Sequence, residues 1–277
     1  KSSYPATEIA RASRGAALTL LAKVSLYQSK WDKVIEYTNQ LSGYSLTPDY
    51  AEIFKTTGEN NQESIFEIQG FGGNPAKGIQ GYSATQGARG AGGWGWGFNT
   101  PSESLANAYE SGDTRREATI IFAGSTLYDG RFVPLTVENP RYNMKAYSSA
   151  FTDGWETDVN IKYLRYAEVL LMKAEALNEL GQTSNAIPLV NQIRNRAGLG
   201  NTTATSQADV RLAIWKERRL ELAFEHDRFF DLVRTGQAEA AFAADGKTFV
   251  VGRHEVFPLP QKFINEADGL SAQNPNY

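Results

Sequence analysis

Residues 214–236 read I-W-K-E-R-R-L-E-L-A-F-E-H-D-R-F-F-D-L-V-R-T-G and put an apolar face and a dense lattice of acids and bases into one segment. Trp215, Leu220, Leu222, Ala223, Phe224, Phe229, Phe230, Leu232 and Val233 recur at mostly helical spacing and predict a broad buried stripe. Between them stand Glu217, Arg218, Arg219, Glu221, Glu225, Asp227, Arg228, Asp231 and Arg234. Several are three or four apart, where opposite charges meet on one helix face. Upstream, Ser206-x-x-Asp209 reads as a capping box. One long helix is therefore expected over 210–234, stopped by Gly236. Taken singly, each charge reads as half of a structural ion pair, and buried pairs of this kind set geometry more than they add stability.

Working outward, two helical hairpins bracket an irregular middle. The first covers 7–41, with Leu18, Leu20, Leu21, Val24, Leu26 and Tyr27 in one helix and Trp31, Val34, Ile35, Tyr37 and Leu41 in the next. The second covers 161–197, with Leu170, Leu171, Ala174, Leu177 and Leu180, then Ala186, Ile187, Leu189, Val190 and Ile193. The two are internally similar: Leu21-x-Lys23 recurs as Leu171-x-Lys173, and Asn39-Gln40-Leu41 as Asn191-Gln192-Ile193. Helix pairs of about 34 residues with small residues at the contact match the tetratricopeptide pattern, which normally needs neighbouring repeats. Pro188 falls close to the start of its helix, where a missing N–H costs little. The fold class is thus mainly α, with tetratricopeptide-like hairpins, a long C-terminal helix, and a loop-rich face with few short strands. A single body over 1–277 is expected.

The middle, 57–160, differs in composition. Ile65-Phe66-Glu67-Ile68-Gln69 alternates like a strand, Ser102 to Glu110 reads as helical, and residues 118–122 and 131–135 suggest short strands. Residues 70–97 are rich in Gly with Ser, Thr, Asn and Gln. Loops of this length bind something or are disordered, and their aromatic content argues against disorder.

Composition excludes several functions. Lys plus Arg is 28 against 31 Asp plus Glu, a formal charge of −3, so no basic footprint points to nucleic acid or anionic membrane. There is no Cys, hence no disulfide frame, thiolate metal site or thiol nucleophile. No run of 18 apolar residues occurs. His226 and His254 lack partners at ligand spacing, so no metal or cofactor is expected. Gly70 to Gly78 lacks the ordered phosphate-loop pattern, because Gly78 follows Lys77. No spacing singles out a carboxylate pair for glycoside hydrolysis, and Asp153, Glu156 and Asp158 lack an EF-hand pattern for Ca²⁺.

The binding candidates lie in the loops. In Trp94-Gly95-Trp96-Gly97-Phe98 an extended backbone would place three rings on one side about 6.6 Å apart. Aromatic faces stack on the C–H faces of sugars, and the glycines would leave backbone groups open to hydroxyls. The opposite reading has the rings folded back as a plug. Tyr82, Tyr142, Trp155, Asp153 and Arg141 complete the expected ligand set.

The opening segment resembles the E-R-x-x-E-L-x-x-E-x-x-R-F-x-D-L-x-R-x-G pattern of the SusD/RagB family, through Glu217, Arg218, Glu221, Leu222, Glu225, Arg228, Phe229, Asp231, Leu232, Arg234 and Gly236. Arg165-Tyr166-Ala167-Glu168-Val169-Leu170-Leu171-Met172 followed by Ala174-Glu175-Ala176 is similar to a second family helix. Phe257-Pro258-Leu259-Pro260 and Gln273-Asn274-Pro275 are similar to the family tail, and Ser111-Gly112-Asp113-Thr114-Arg115 to a family helix end. Asn276 departs from the tail's usual Gly. The resemblance implies a non-catalytic lipoprotein of the outer membrane that captures oligosaccharide or another nutrient at the cell surface. Its implied partner is a SusC-like TonB-dependent transporter. The resemblance also implies a signal and acylated Cys ahead of Lys1, so the chain is expected to be the carboxy-terminal portion of a longer precursor. Family binding positions vary, so no single site residue is carried over. The alternative reading is a tetratricopeptide scaffold for protein–protein interaction.

Overall fold

The computed structural model describes all residues except 2–3, 72–80, 149–158, 268 and 270. They divide into two compact units, Lys1–Glu225 and His226–Tyr277.

In the first unit, helix α1 (Arg14–Tyr27) is capped by Ser13, whose hydroxyl accepts the Ala16 N–H, and α2 (Trp31–Thr38) follows after a short turn. Strand β1 (Ser64–Ile68) precedes helices α3 (Tyr82–Gln86), α4 (Glu103–Ala106) and α5 (Arg115–Thr119). Strands β2 (Ile120–Phe122), β3 (Arg141–Asn143) and β4 (Ile161–Arg165) lead into α6 (Tyr166–Glu179), α7 (Thr183–Arg196) and α8 (Gln207–Glu221). The expected mainly helical body with few short strands is observed. The strand at 65–69 is found, antiparallel to β4, and β2 pairs antiparallel with β3. Residues 131–135 make only an isolated bridge, Phe132 to Thr126. The helix expected over 102–110 stops at Ala106.

Helix α6 lies at the centre of the helical part, packing on α1, α2, α7 and α8, and is buried along nearly its whole length. Ala16, Ala22 and Leu26 of α1 close on Val34, Val169, Met172 and Ala176. Ala174 and Leu177 meet Ala186, Val190, Val210 and Ile214. The small side chains allow close helix approach, as both hairpins anticipate. Leu20, Leu21, Val24 and Tyr27 run along the opposite, exposed side of α1. Pro188 stands sixth in α7, past the first turn, so the Ser184 carbonyl has no N–H to accept in the helix.

The expected single helix over 210–234 is not formed. The Ser206 cap is present, accepting the Asp209 N–H and donating its hydroxyl to the Asp209 carboxylate. Yet α8 ends at Glu221, and Phe224 and His226 take left-handed φ of +66° and +76°. The cause lies in the carbonyls. Glu221 C=O accepts from Tyr50 Oη at 2.7 Å, Lys145 Nζ at 3.0 Å and Arg165 Nη2 at 3.2 Å. Tyr109 Oη takes Leu220 C=O. The Glu225 N–H, which would bond Glu221 C=O in a continuing helix, turns to Leu222 C=O instead.

The side chains of this segment build a buried ionic lattice. Glu221 meets Arg196 at 2.5 Å, Arg165 at 3.0 Å and Arg115 at 3.4 Å. Arg115 also holds Asp113 at 2.7 Å and Glu217 at 2.8 Å. Arg165 pairs with Glu63 and Glu225, and Lys145 reaches Glu225 at 2.6 Å between the rings of Tyr50 and Phe54. Burial pushes the Glu221 carboxyl up, but Arg196, Arg165, Arg115 and Lys145 overcome it and hold the group well below its ordinary value. Glu225 is lowered in the same way, burial being outweighed by Arg165 and Lys145. Burial lowers Lys145 to about 8.

The second unit holds α9 (Arg228–Arg234), α10 (Ala238–Ala244) and α11 (Gln261–Glu266). Its core is Leu232, Ala238 and Phe249, backed by Phe229, Val233 and Phe242. The tail motif has a plain cause. The Gln273 side-chain amide accepts the Leu259 N–H at 2.7 Å and donates to its carbonyl at 2.9 Å, while Asn274 donates to Phe257 C=O.

Two outcomes are expected from the lattice. Glu221→Ala strands Arg165, Arg196 and Arg115 without their shared counter-charge and lowers the unfolding free energy by about 3–5 kcal/mol, read by denaturant titration. Glu221 and Glu225 are more acidic folded than unfolded, so their contribution is complete above the ordinary carboxyl value of 4.5 and is lost as pH falls through the lower folded values. The melting temperature is therefore flat between neutrality and pH 5 and drops below pH 4.5, measurable by circular dichroism; a flat profile to pH 2 contradicts the assignment.

Candidate functional site

The glycine-rich loop after α3 is not an extended ribbon. Trp94 and Gly95 both donate their N–H to Ala88 C=O, at 2.7 and 2.8 Å. Trp96 donates to Ala84, Gly97 to Gly87 and Phe98 to Thr85, each at 2.9 Å. Five successive amides thus close on the carbonyls at and beyond the end of α3, groups a short helix otherwise leaves without partners. The glycines permit that contact rather than opening backbone to a ligand. A Cβ on Gly95 would lie 2.4 Å from Ala84 O and 2.5 Å from Gly87 Cα, and one on Gly87 would lie 2.8 Å from the Trp94 ring.

The expected ring row is split by this folding. Trp94 is half-buried and turns inward against Ala88, Leu127, Val133 and Tyr147, edge-on to Tyr147 with centroids 5.5 Å apart. Trp96 and Phe98 remain outside, 45% and 58% exposed, edge to face at 6.3 Å. Tyr142 is fully buried in β3; its hydroxyl donates to Arg89 C=O and accepts the Asn139 N–H, so it belongs to the core. Arg141 is half-buried and donates to Pro101 C=O at 3.2 Å. Tyr82 opens α3, half-buried, its phenol pushed up to about 12 by burial and the Glu225 charge. Asp153, Trp155, Glu156 and Asp158 lie outside the described residues, as does most of the 70–78 stretch.

The structure adds residues that the sequence reading passes over. Leu127 and Arg131 pair across a three-residue hairpin turn in which Leu127 N–H donates to Arg131 C=O at 2.8 Å and Gly130 takes φ of +88°. An Asp-Gly pair between apolar residues, here Asp129-Gly130, is a hairpin signal, and it was available in the sequence. The turn presents Tyr128, 44% exposed, edge-on to Tyr147 at 5.6 Å, with Lys55 Nζ 5.0 Å from its ring. It also places the Arg131 guanidinium 5.0 Å from the Trp94 ring and 5.7 Å from Tyr147. Asp129 is occupied: it accepts the Tyr147 hydroxyl at 2.5 Å and the Arg131 N–H at 3.1 Å. Trp94, Tyr147 and Tyr128 therefore form a continuous aromatic run that is buried at Tyr147 and reaches the surface at Tyr128. Exposed rings such as Trp96 and Phe98 are of the kind that can stack apolar sugar faces.

A model of the SusD family matches residues 138–277. The chain belongs to the SusD family. It is similar to SusD-like protein P2 of Formosa agariphila, 31% identical over 314 residues, covering 99% of this chain and 62% of the relative. Among solved structures it is similar to a laminarin-binding SusD-like protein (29% identity, TM-score 0.81, covering 100% of this chain and 65% of the other). It is also similar to surface glycan-binding protein A from Bacteroides thetaiotaomicron in complex with laminarihexaose (26% identity, TM-score 0.79, covering 100% and 66%). The chain spans less than two-thirds of the length of these relatives.

The loop packing generates one test. Gly95→Ala forces a methyl against Ala84 O and Gly87, so the strap lifts and the Trp96–Phe98 pair loses its footing. The melting temperature is expected to drop, read by thermal denaturation; a variant with the wild-type value removes the packing argument.

Proposed function

We propose that this SusD family chain captures an oligosaccharide at the cell surface without chemical change and delivers it to a TonB-dependent outer-membrane transporter. The observation that carries the reading is the exposed Trp96–Phe98 pair on a loop strapped to α3 by five amide hydrogen bonds. Rings held on a stiff base lose little freedom on binding, so the stacking energy is retained in affinity. The relatives support a glucan ligand, since one is described as laminarin-binding and another was solved with laminarihexaose. No helix among the described residues is long and apolar enough to cross a membrane; attachment by a lipid anchor is part of the proposal and rests on the family resemblance. The tetratricopeptide-like hairpins serve as the rigid frame.

The alternative, a repeat scaffold for a protein partner, draws on the outward apolar stripe of α1 formed by Leu20, Leu21, Val24 and Tyr27. One titration separates the two. Laminarihexaose is expected to bind the chain in calorimetry, with release of no new reducing ends on long incubation. Trp96→Ala with Phe98→Ala lowers affinity about tenfold or more while leaving the fold intact, a loss of about 1.4 kcal/mol or more. Equal affinity in the double variant rejects these rings as the site.

A further inference from the structure

A cavity of about 200 Å³ lies between the segment leading into α1 and strand β1, and no residue of the aromatic loop lines it. Ile9, Ile65 and Phe66 give it apolar wall, and Tyr4, Ser13, Tyr44 and Ser64 bring hydroxyls. Among the described residues the hydroxyls of Tyr4, Tyr44 and Ser64 have no partner. The Ser13 hydroxyl accepts the Ala16 N–H and keeps its own proton to donate. The two charged residues of the lining are already compensated. Arg11 pairs with Glu8 at 3.0 Å, while Glu67 accepts the Asn60 N–H at 2.9 Å, Asn160 Nδ2 at 2.8 Å and Lys162 Nζ at 3.1 Å. The walls are also fixed in advance. Tyr44 stacks on Tyr166 with centroids 6.3 Å apart, and its hydroxyl sits where a Cβ on Gly15 would be. Phe66 meets Tyr163 edge-on at 6.4 Å, and the side-chain amides of Asn60 and Gln69 bond each other at 3.0 and 2.9 Å.

We propose that this cavity is a second binding site, distinct from the Trp96–Phe98 pair, and that it takes one neutral polyhydroxylated ring, a single pyranose. Its volume falls below the about 300 Å³ at which pockets for drug-sized ligands begin, so it holds one ring. A pyranose brings apolar C–H groups to Ile9, Ile65 and Phe66. Its hydroxyls both donate and accept, which suits protein hydroxyls of either polarity and reproduces the bonds of the water it displaces. A carboxylate or ammonium would find no spare counter-charge here and would give up its hydration. Because the walls are held before binding, little freedom is lost when the ring enters. The site is independent of the capture reading, since the two share no residue.

The test is a saturation-transfer NMR titration of the whole chain with methyl β-D-glucoside. Saturable binding is expected, and Tyr44→Phe with Ser64→Ala, which removes two oxygens and adds no bulk, weakens it about threefold or more with the melting temperature unchanged. The Trp96→Ala/Phe98→Ala variant keeps wild-type affinity for the glucoside. If the Tyr44/Ser64 variant melts early, Tyr4→Phe carries the test and must weaken binding likewise. Absence of saturable binding, or wild-type affinity in these hydroxyl variants, overturns the site; so does tighter binding of galacturonate than of the glucoside. Loss of the glucoside in the Trp96→Ala/Phe98→Ala variant alone puts it on the ring pair and overturns the cavity site as well. None of these results touches the capture reading, which is decided by laminarihexaose and the ring-pair variant.

Discussion

The carbonyl of Glu221 accepts from three side chains, and much of the first unit follows from that. Tyr50, Lys145 and Arg165 come from three separate segments and meet at one oxygen. Its carboxylate meanwhile collects Arg115, Arg165 and Arg196. A charge buried this deeply is tolerable only when every partner arrives, so the ends of β4, α5 and α7 are fixed relative to α8. The same capture ends the helix. Once side chains hold the final carbonyls, the following amides have nothing to join, and the backbone turns through left-handed conformations at Phe224 and His226. Glu225 is then delivered to Lys145 and Arg165.

This lattice reaches the candidate site through a short chain of polar contacts. The Lys145 N–H donates to Asn143 Oδ1, and Asn143 donates to Gln86 Oε1 at 2.7 Å. Gln86 closes α3 and also accepts from Asn99, just beyond the ring pair. The aromatic loop is therefore pinned at both ends, by the amides strapped to α3 and by Asn99 on Gln86. Rigidity of this kind suits the capture proposed above, since a loop already held in place loses little freedom on binding.

The strongly patterned parts of the chain were readable without coordinates. Period-3.6 apolar positions located α1, α2, α6 and α7, alternation located β1, and Ser206 marked the start of α8. Ion pairing expected at a spacing of three or four within 214–236 is found at Asp231–Arg234, whereas Glu217, Glu221 and Glu225 pair with Arg115, Arg194, Arg165, Arg196 and Lys145 from other segments. Errors gathered where distant partners decide local conformation. The helix over 210–234 looked continuous because nothing in its own sequence shows that Tyr50 and Lys145 will take its carbonyl. Tyr142 looked like a loop ligand because its burial depends on the pairing of β3 with β2. Tyr128 and Arg131 were passed over although the Asp-Gly turn between them was visible, since a turn signal says where a chain reverses and not what it faces.

The order of residues alone settled the helical class, the kinship with the SusD family and the presence of a glycine-rich aromatic loop, because periodicity, motif spacing and composition are local properties. Tertiary structure decided which rings face outward. Trp94 and Trp96 have the same neighbours in sequence, but the amide strap onto α3 sends one ring to the core and leaves the other in solvent. That choice depends on carbonyls 84–88 lying beneath the loop, a contact no window of sequence contains.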